Sequence, residues 1–294
     1  MNFKKIAVFI TLISLWLSNY FIEPSQQILA FFLIFSVGIL HGSNDLAIIN
    51  KLGSSKNVKQ VVLLFGSYIL TVLVAAGLFY KFPILALSAF ILFSGYHFGE
   101  QHWSDISTLS PGIRTALYSS YGLTVLGLLF YLNGPETLSV IQMLTQKEYS
   151  ETGFLIFLLF AAGFTVSIFT ILLFRKRMDV SRLLFELFLF LVFAIVFKYA
   201  TLIWAFSIYF IFWHSIPSIL EQLQYLYSEV SVRSFRKYLK SSLFIWLISI
   251  GFIFLMLYLV RDDENLFIPL FFAFLGAITF AHSFIISKMF LTRK

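Results

Sequence analysis

The stretch TGFLIFLLFAAGFTVSIFTILLF, residues 152–174, contains no charged side chain, and Arg175, Lys176 and Arg177 follow it directly. A bilayer core needs about 20 consecutive apolar residues to be crossed by a helix, so this segment is long enough to span. The three cations behind it mark the side on which it ends, because Lys and Arg accumulate in cytoplasmic loops. The rest of the chain has the same character. Hydrophobic residues make up 60% of it, charged residues 12%, and the mean hydropathy is +0.91. A soluble domain of this size needs far more surface charge, so lipid is the solvent for most of the chain.

Ten such runs are predicted, near 6–22, 26–41, 60–80, 84–102, 114–133, 152–174, 183–199, 200–216, 241–260 and 266–288. The first follows Lys4 and Lys5 without a small-residue cleavage site, so it is read as a retained span. With a cytoplasmic amino terminus, the inner loops and tails hold 17 of the 21 Lys and Arg, leaving Lys81, Lys147, Lys198 and Arg261 outside. A lost span would invert every later loop, so this asymmetry supports ten spans with both termini cytoplasmic. The outer side is acidic, with Glu136, Glu148, Glu151, Asp262, Asp263 and Glu264. Stretches 135–150 and 218–240 are polar enough for interfacial helices. Without a linker, charge block or repeat, the expectation is an all-α polytopic bundle forming one transmembrane domain, residues 1–294, in the plasma membrane.

The net charge of +7 is spread over short loops and forms no basic face, which argues against nucleic acid. The absence of cysteine excludes thiolate zinc, iron–sulfur clusters and thiol nucleophiles, so a metal must rest on His, Asp or Glu. The 38 Phe and 14 Tyr suit lipid packing first and an apolar ligand second.

The five histidines are His41, His97, His102, His214 and His282, and on this topology all fall at cytoplasmic ends of even-numbered helices. A single imidazole there reads as an amphipathic tip. Four helix ends carrying imidazole at one depth read as metal ligands, since ionisable groups in a membrane are expensive and imidazole is a common ligand of iron, copper and zinc. If its helix persists, Asp45 shares a face with His41 and fixes the ring, and Glu100 shares one with His97. His102 lies five residues from His97, about 140° around a helix, so both serve one ion only if the helix ends between them. Pro217 is expected to kink or end the helix just after His214, with Glu221 near the same stripe. Glu186 is the one acid deep within a predicted span, readable as a packing group or a pathway residue. A transporter or metal permease using these imidazoles for protons or ions is the competing class. Di-iron desaturases need more ligands than five histidines without His-x-x-x-His boxes provide.

His41-Gly-Ser-Asn-Asp45, His97-Phe98-Gly99, Trp213-His214-Ser215 and Ala281-His282 resemble, in order and spacing, the boxes of the Brp/Blh-type bacterial and archaeal β-carotene 15,15′-dioxygenases. The resemblance implies a membrane enzyme that holds Fe(II) through histidines and uses O2 to cleave β-carotene or a related carotenoid centrally into two retinals, with a rhodopsin as recipient of the product. It carries three ligands onto His41, His97 and His214. The family's second histidine of the third box falls on Ser218, so the fourth ligand is expected from His282, with His102 as the alternative.

Overall fold

The computed structural model describes residues 3–53, 58–106, 109–261 and 264–292. Lys56, Asp262, Asp263, Arg293 and Lys294, counted above among the loop charges, lie outside the described residues, as does the side chain of Glu264. The structure is 88% helical without strands among the described residues. In chain order the helices are α1 (Phe3–Ser18), α2 (Glu23–Leu33), α3 (Ile39–Gly42), α4 (Asp45–Gly53), α5 (Val58–Lys81), α6 (Pro83–His102) and α7 (Pro111–Leu132). They continue as α8 (Gly134–Thr145), α9 (Thr152–Phe174), α10 (Val180–Tyr199), α11 (Leu202–Tyr209), α12 (Ile216–Tyr227), α13 (Val232–Leu259) and α14 (Glu264–Thr292). Two π-helical segments, Ile34–Gly38 and Phe210–Ser215, join α2 to α3 and α11 to α12.

Eight stretches among the described residues are long and apolar enough to cross a membrane: Glu23–Gly53, Val62–Lys81, Pro111–Leu132, Thr152–Phe174, Val180–Tyr199, Leu202–Tyr227, Val232–Leu259 and Leu270–Thr292. The chain is an all-α polytopic bundle. The other two expected runs are also helices. α1 has only 16 residues, and α6 ends in the polar sequence from His97 to His102. The two runs that meet near Lys198 part at Ala200, whose backbone is extended.

The expected interfacial helix over 218–240 is not a single element. α12 continues to Tyr227 and stops where Ser228 takes a left-handed conformation, φ 60°. α13 then starts at a capping box in which Ser231 and Ser234 satisfy each other's backbone N–H groups. The other expected interfacial segment, 135–150, holds all of α8 but its first residue.

The chain divides into two units, each built from three separate stretches: residues 1–34, 95–139 and 147–214 in the first, and 35–94, 140–146 and 215–294 in the second. In the first unit, Thr124 on α7 bonds Thr165 on α9 at 2.9 Å, and Gly127 lets α7 approach Leu158 of α9. The C-terminal half of α6 packs still more closely on α7. A Cβ at Gly99 would stand 1.9 Å from the Tyr118 carbonyl oxygen, and one at Gly122 would stand 1.9 Å from that of Gly95. Such backbone contact between small residues is how helices associate where lipid removes the hydrophobic drive. In the second unit, Gly276 of α14 faces the rings of Phe79 and Phe90, while Ile48, Ile49, Ile285, Ile286 and Met289 form a buried cluster between α4 and α14.

Candidate functional site

In the second unit, His41 stands on α3, just beyond the π-helical turn of Ile34–Gly38. A π turn displaces backbone carbonyls from the α-helical ladder, and such turns are frequent at functional sites. Here the Trp246 indole N–H donates to the carbonyls of Phe35 and Ser36 at 3.0 and 3.1 Å. The Gly38 carbonyl accepts from Nδ1 of His41 itself. The carbonyl of His41 in turn receives the Gln222 amide at 2.8 Å, with the Tyr238 hydroxyl 3.3 Å away. Asn44 donates to the carbonyl of Tyr238 and accepts from Ser241, which closes the network.

His282, on α14, lies beside His41 with ring centroids 4.8 Å apart and planes at 90°. Its Nδ1 is 2.8 Å from Asp45 Oδ1. Asp45 therefore partners His282, not His41 as its spacing suggested. The reason is local: α3 stops at Gly42, a turn at Ser43 and Asn44 follows, and Asp45 opens α4, so the i,i+4 face does not persist. Carbonyls and carboxylates accept hydrogen bonds, so Nδ1 carries the proton on both rings and the lone pair is on Nε2. Both rings are buried.

The first unit holds the other pair. His97 on α6 and His214 in the segment Phe210–Ser215 have centroids 4.7 Å apart at 73°, and each is 1% exposed. Phe98 and Phe210 flank His214 at 4.7 and 5.5 Å. Glu100 does share the His97 face, but its Oε2 is 4.0 Å from Nδ1, beyond hydrogen-bond reach, while Tyr96 donates to Oε1 at 3.1 Å. Pro217 does not end the helix after His214; the wide π turn precedes it and α12 runs on to Tyr227. A proline removes one ladder N–H and crowds the preceding turn, and a widened turn absorbs both effects.

His102 goes elsewhere. α6 is continuous to His102, so His97 and His102 point in different directions, and Nε2 of His102 lies 2.8 Å from Oε2 of Glu186. Glu221 is half-buried on α12. Its neighbour Gln222 is fully buried and, besides the His41 carbonyl, reaches the Ser218 hydroxyl at 3.1 Å. Ser218, where the resemblance led to the expectation of an imidazole, is therefore part of the support of His41. Sequence reasoning missed Gln222, Tyr238 and Trp246. Gln222 was within reach of it, lying two i+4 steps beyond His214 through Ser218; Tyr238 and Trp246 are distant in the chain and carry no local signal.

No curated protein and no solved structure is significantly similar to the chain. The family model described as Beta-carotene 15,15'-dioxygenase matches residues 32–290, a stretch that includes all five histidines and both π turns. With that match covering most of its length, the chain belongs to the β-carotene 15,15′-dioxygenase family.

Proposed function

We propose that this protein is an iron-dependent membrane dioxygenase that cleaves β-carotene at its central double bond with O2 to give two retinals, with His41, His97, His214 and His282 holding one Fe(II). The family membership supports the reaction. The observation that carries the ligand set is the pairing of buried imidazoles within each unit, above all His41 and His282, whose Nδ1 protons are committed to a carbonyl and a carboxylate. That arrangement fits a metal, because an imidazole ligates through the nitrogen opposite the one that its hydrogen bond protonates. When bound, an imidazole-ligated iron supplies the oxygen chemistry.

The chain's own residues orient and exclude. Asp45 and the Gly38 carbonyl set the direction of two rings, the phenylalanines around His214 keep water from its ring, and the Gln222 amide holds the peptide that carries His41. Carotenoids dissolve in the acyl region of a bilayer, so the substrate enters sideways from the plasma membrane to a site beneath the inner headgroups, and a rhodopsin takes up the retinal. Expression in β-carotene-accumulating bacteria, with chromatography of the pigments, tests the reading: retinal appears as the orange colour fades. Intact carotene beside abundant protein rejects it.

Asp45→Asn tests the ligand set separately. An amide can turn its NH2 toward the ring and favour the wrong tautomer, so iron affinity falls by about 10- to 100-fold while the helices persist. Elemental analysis of the purified variant under limiting iron reads the loss.

A further inference from the structure

Glu186 is a buried charge held by four side chains, and the proposed chemistry makes no use of it. Glu186, on α10, is 0% exposed. Its Oε2 receives the Tyr121 hydroxyl at 2.9 Å and stands 2.8 Å from His102 Nε2. Its Oε1 receives Arg182 Nε at 2.9 Å, and Lys4 Nζ is 3.8 Å away. Arg182 extends the network to Asp105 at 3.1 Å and lies over the Trp103 ring. An unpaired carboxylate in an apolar interior costs several kcal/mol, so these partners are what permit it. That explains how the charge is tolerated and leaves open what it holds.

The rings answer that. His102 stacks on Tyr121, centroids 4.4 Å and planes 23° apart, and its other neighbour in near-parallel orientation is Trp213, at 6.4 Å and 28°. Glu186 grips both Tyr121 and His102, so it fixes the plane of that stack. Trp213 is held on two further sides, by the Thr11 hydroxyl accepting from its indole N–H at 2.9 Å and by Phe193 edge-on at 5.1 Å. Trp213 is the residue before His214, inside the π segment Phe210–Ser215. A π turn is rare, and turning back to α geometry would swing His214 around the helix axis.

We propose that Glu186, acting through His102, is a positioning group for His214: the carboxylate orients the His102 ring, the ring braces Trp213, and Trp213 keeps the wide turn that aims the next imidazole. The inference rests on His214 being a metal ligand and adds the residues that aim it.

The test uses full-length protein in detergent with Co(II) as probe, read by its visible absorption and by titrated affinity. Glu186→Gln removes the charge. His102→Gln retains an amide donor for Glu186 without the ring, and it keeps the proposal testable if Glu186→Gln, with Arg182 and Lys4 left uncompensated, does not fold. The expected result is a loss of about tenfold in Co(II) affinity with an altered visible band in either variant, the double variant being no worse than the stronger single one. Asp105→Asn, at the exposed end of the network, leaves affinity and band unchanged. Variants that melt earlier yet bind Co(II) with wild-type affinity and spectrum overturn the proposal and reduce Glu186 to a packing charge. Wild-type protein that binds no Co(II) overturns the metal reading itself, and this inference with it.

Discussion

Alanine at His41, His97 or His214 ends retinal formation in β-carotene-producing bacteria while the protein still accumulates in the membrane. Each ring is buried and each has an imidazole neighbour in its own unit, so truncation removes a proposed ligand and leaves a small polar void. Loss of a hydrogen-bond partner that orients a metal ligand costs about 10- to 100-fold, so loss of a ligand exceeds that and product drops below detection. His282→Ala belongs with these three, because its Nδ1 is already committed to Asp45 and Ser218, where the resemblance led to the expectation of an imidazole, offers none. Pigment chromatography against protein quantity measures the effect. Undiminished retinal from all of these variants removes histidine ligation from consideration.

Gly99→Ala and Gly122→Ala prevent the protein from folding to its native packing. In each case the added methyl would sit 1.9 Å from a carbonyl oxygen on the facing helix, Tyr118 for Gly99 and Gly95 for Gly122. Backbone cannot yield as a flexible side chain can, so α6 and α7 must separate, at about 3 kcal/mol or more. His97 lies between Gly95 and Gly99 in sequence, so the same displacement carries it away from His214. Gly163 is the control, because nothing lies within 4 Å of its Cβ position, and alanine there is neutral or slightly stabilising as the better helix former. Size-exclusion profiles in detergent separate the outcomes: aggregated material for Gly99 and Gly122, a wild-type peak for Gly163.

The helical character was legible in the sequence because apolar length is a strong signal in a membrane, and residues 152–174 fold as the one helix their composition requires. Boundaries were less legible. The span expected over 26–41 extends to Gly53 with a π turn and a break inside it, and the break decides that Asp45 meets His282. Hydropathy does not register a turn widened by one residue, and i,i+4 reasoning presumes that none occurs. Glu186 and His102 were both conspicuous in the sequence, one as an acid in a span and the other as a spare imidazole. Their bond joins residues 84 apart in the chain, which no local pattern reveals. Gln222 stands in helical step with His214 and Ser218, but its bond to the His41 carbonyl, like that of Tyr238, was hidden for the same reason, since these contacts join three helices.

His214 lies within, and His41 three residues beyond, a segment whose turns are wider than those of an α-helix. At a fixed number of residues, returning either segment to α geometry would rotate the residues that follow it about the helix axis, even with every box intact. Substitutions that unseat either wide turn would therefore redirect an imidazole without touching it.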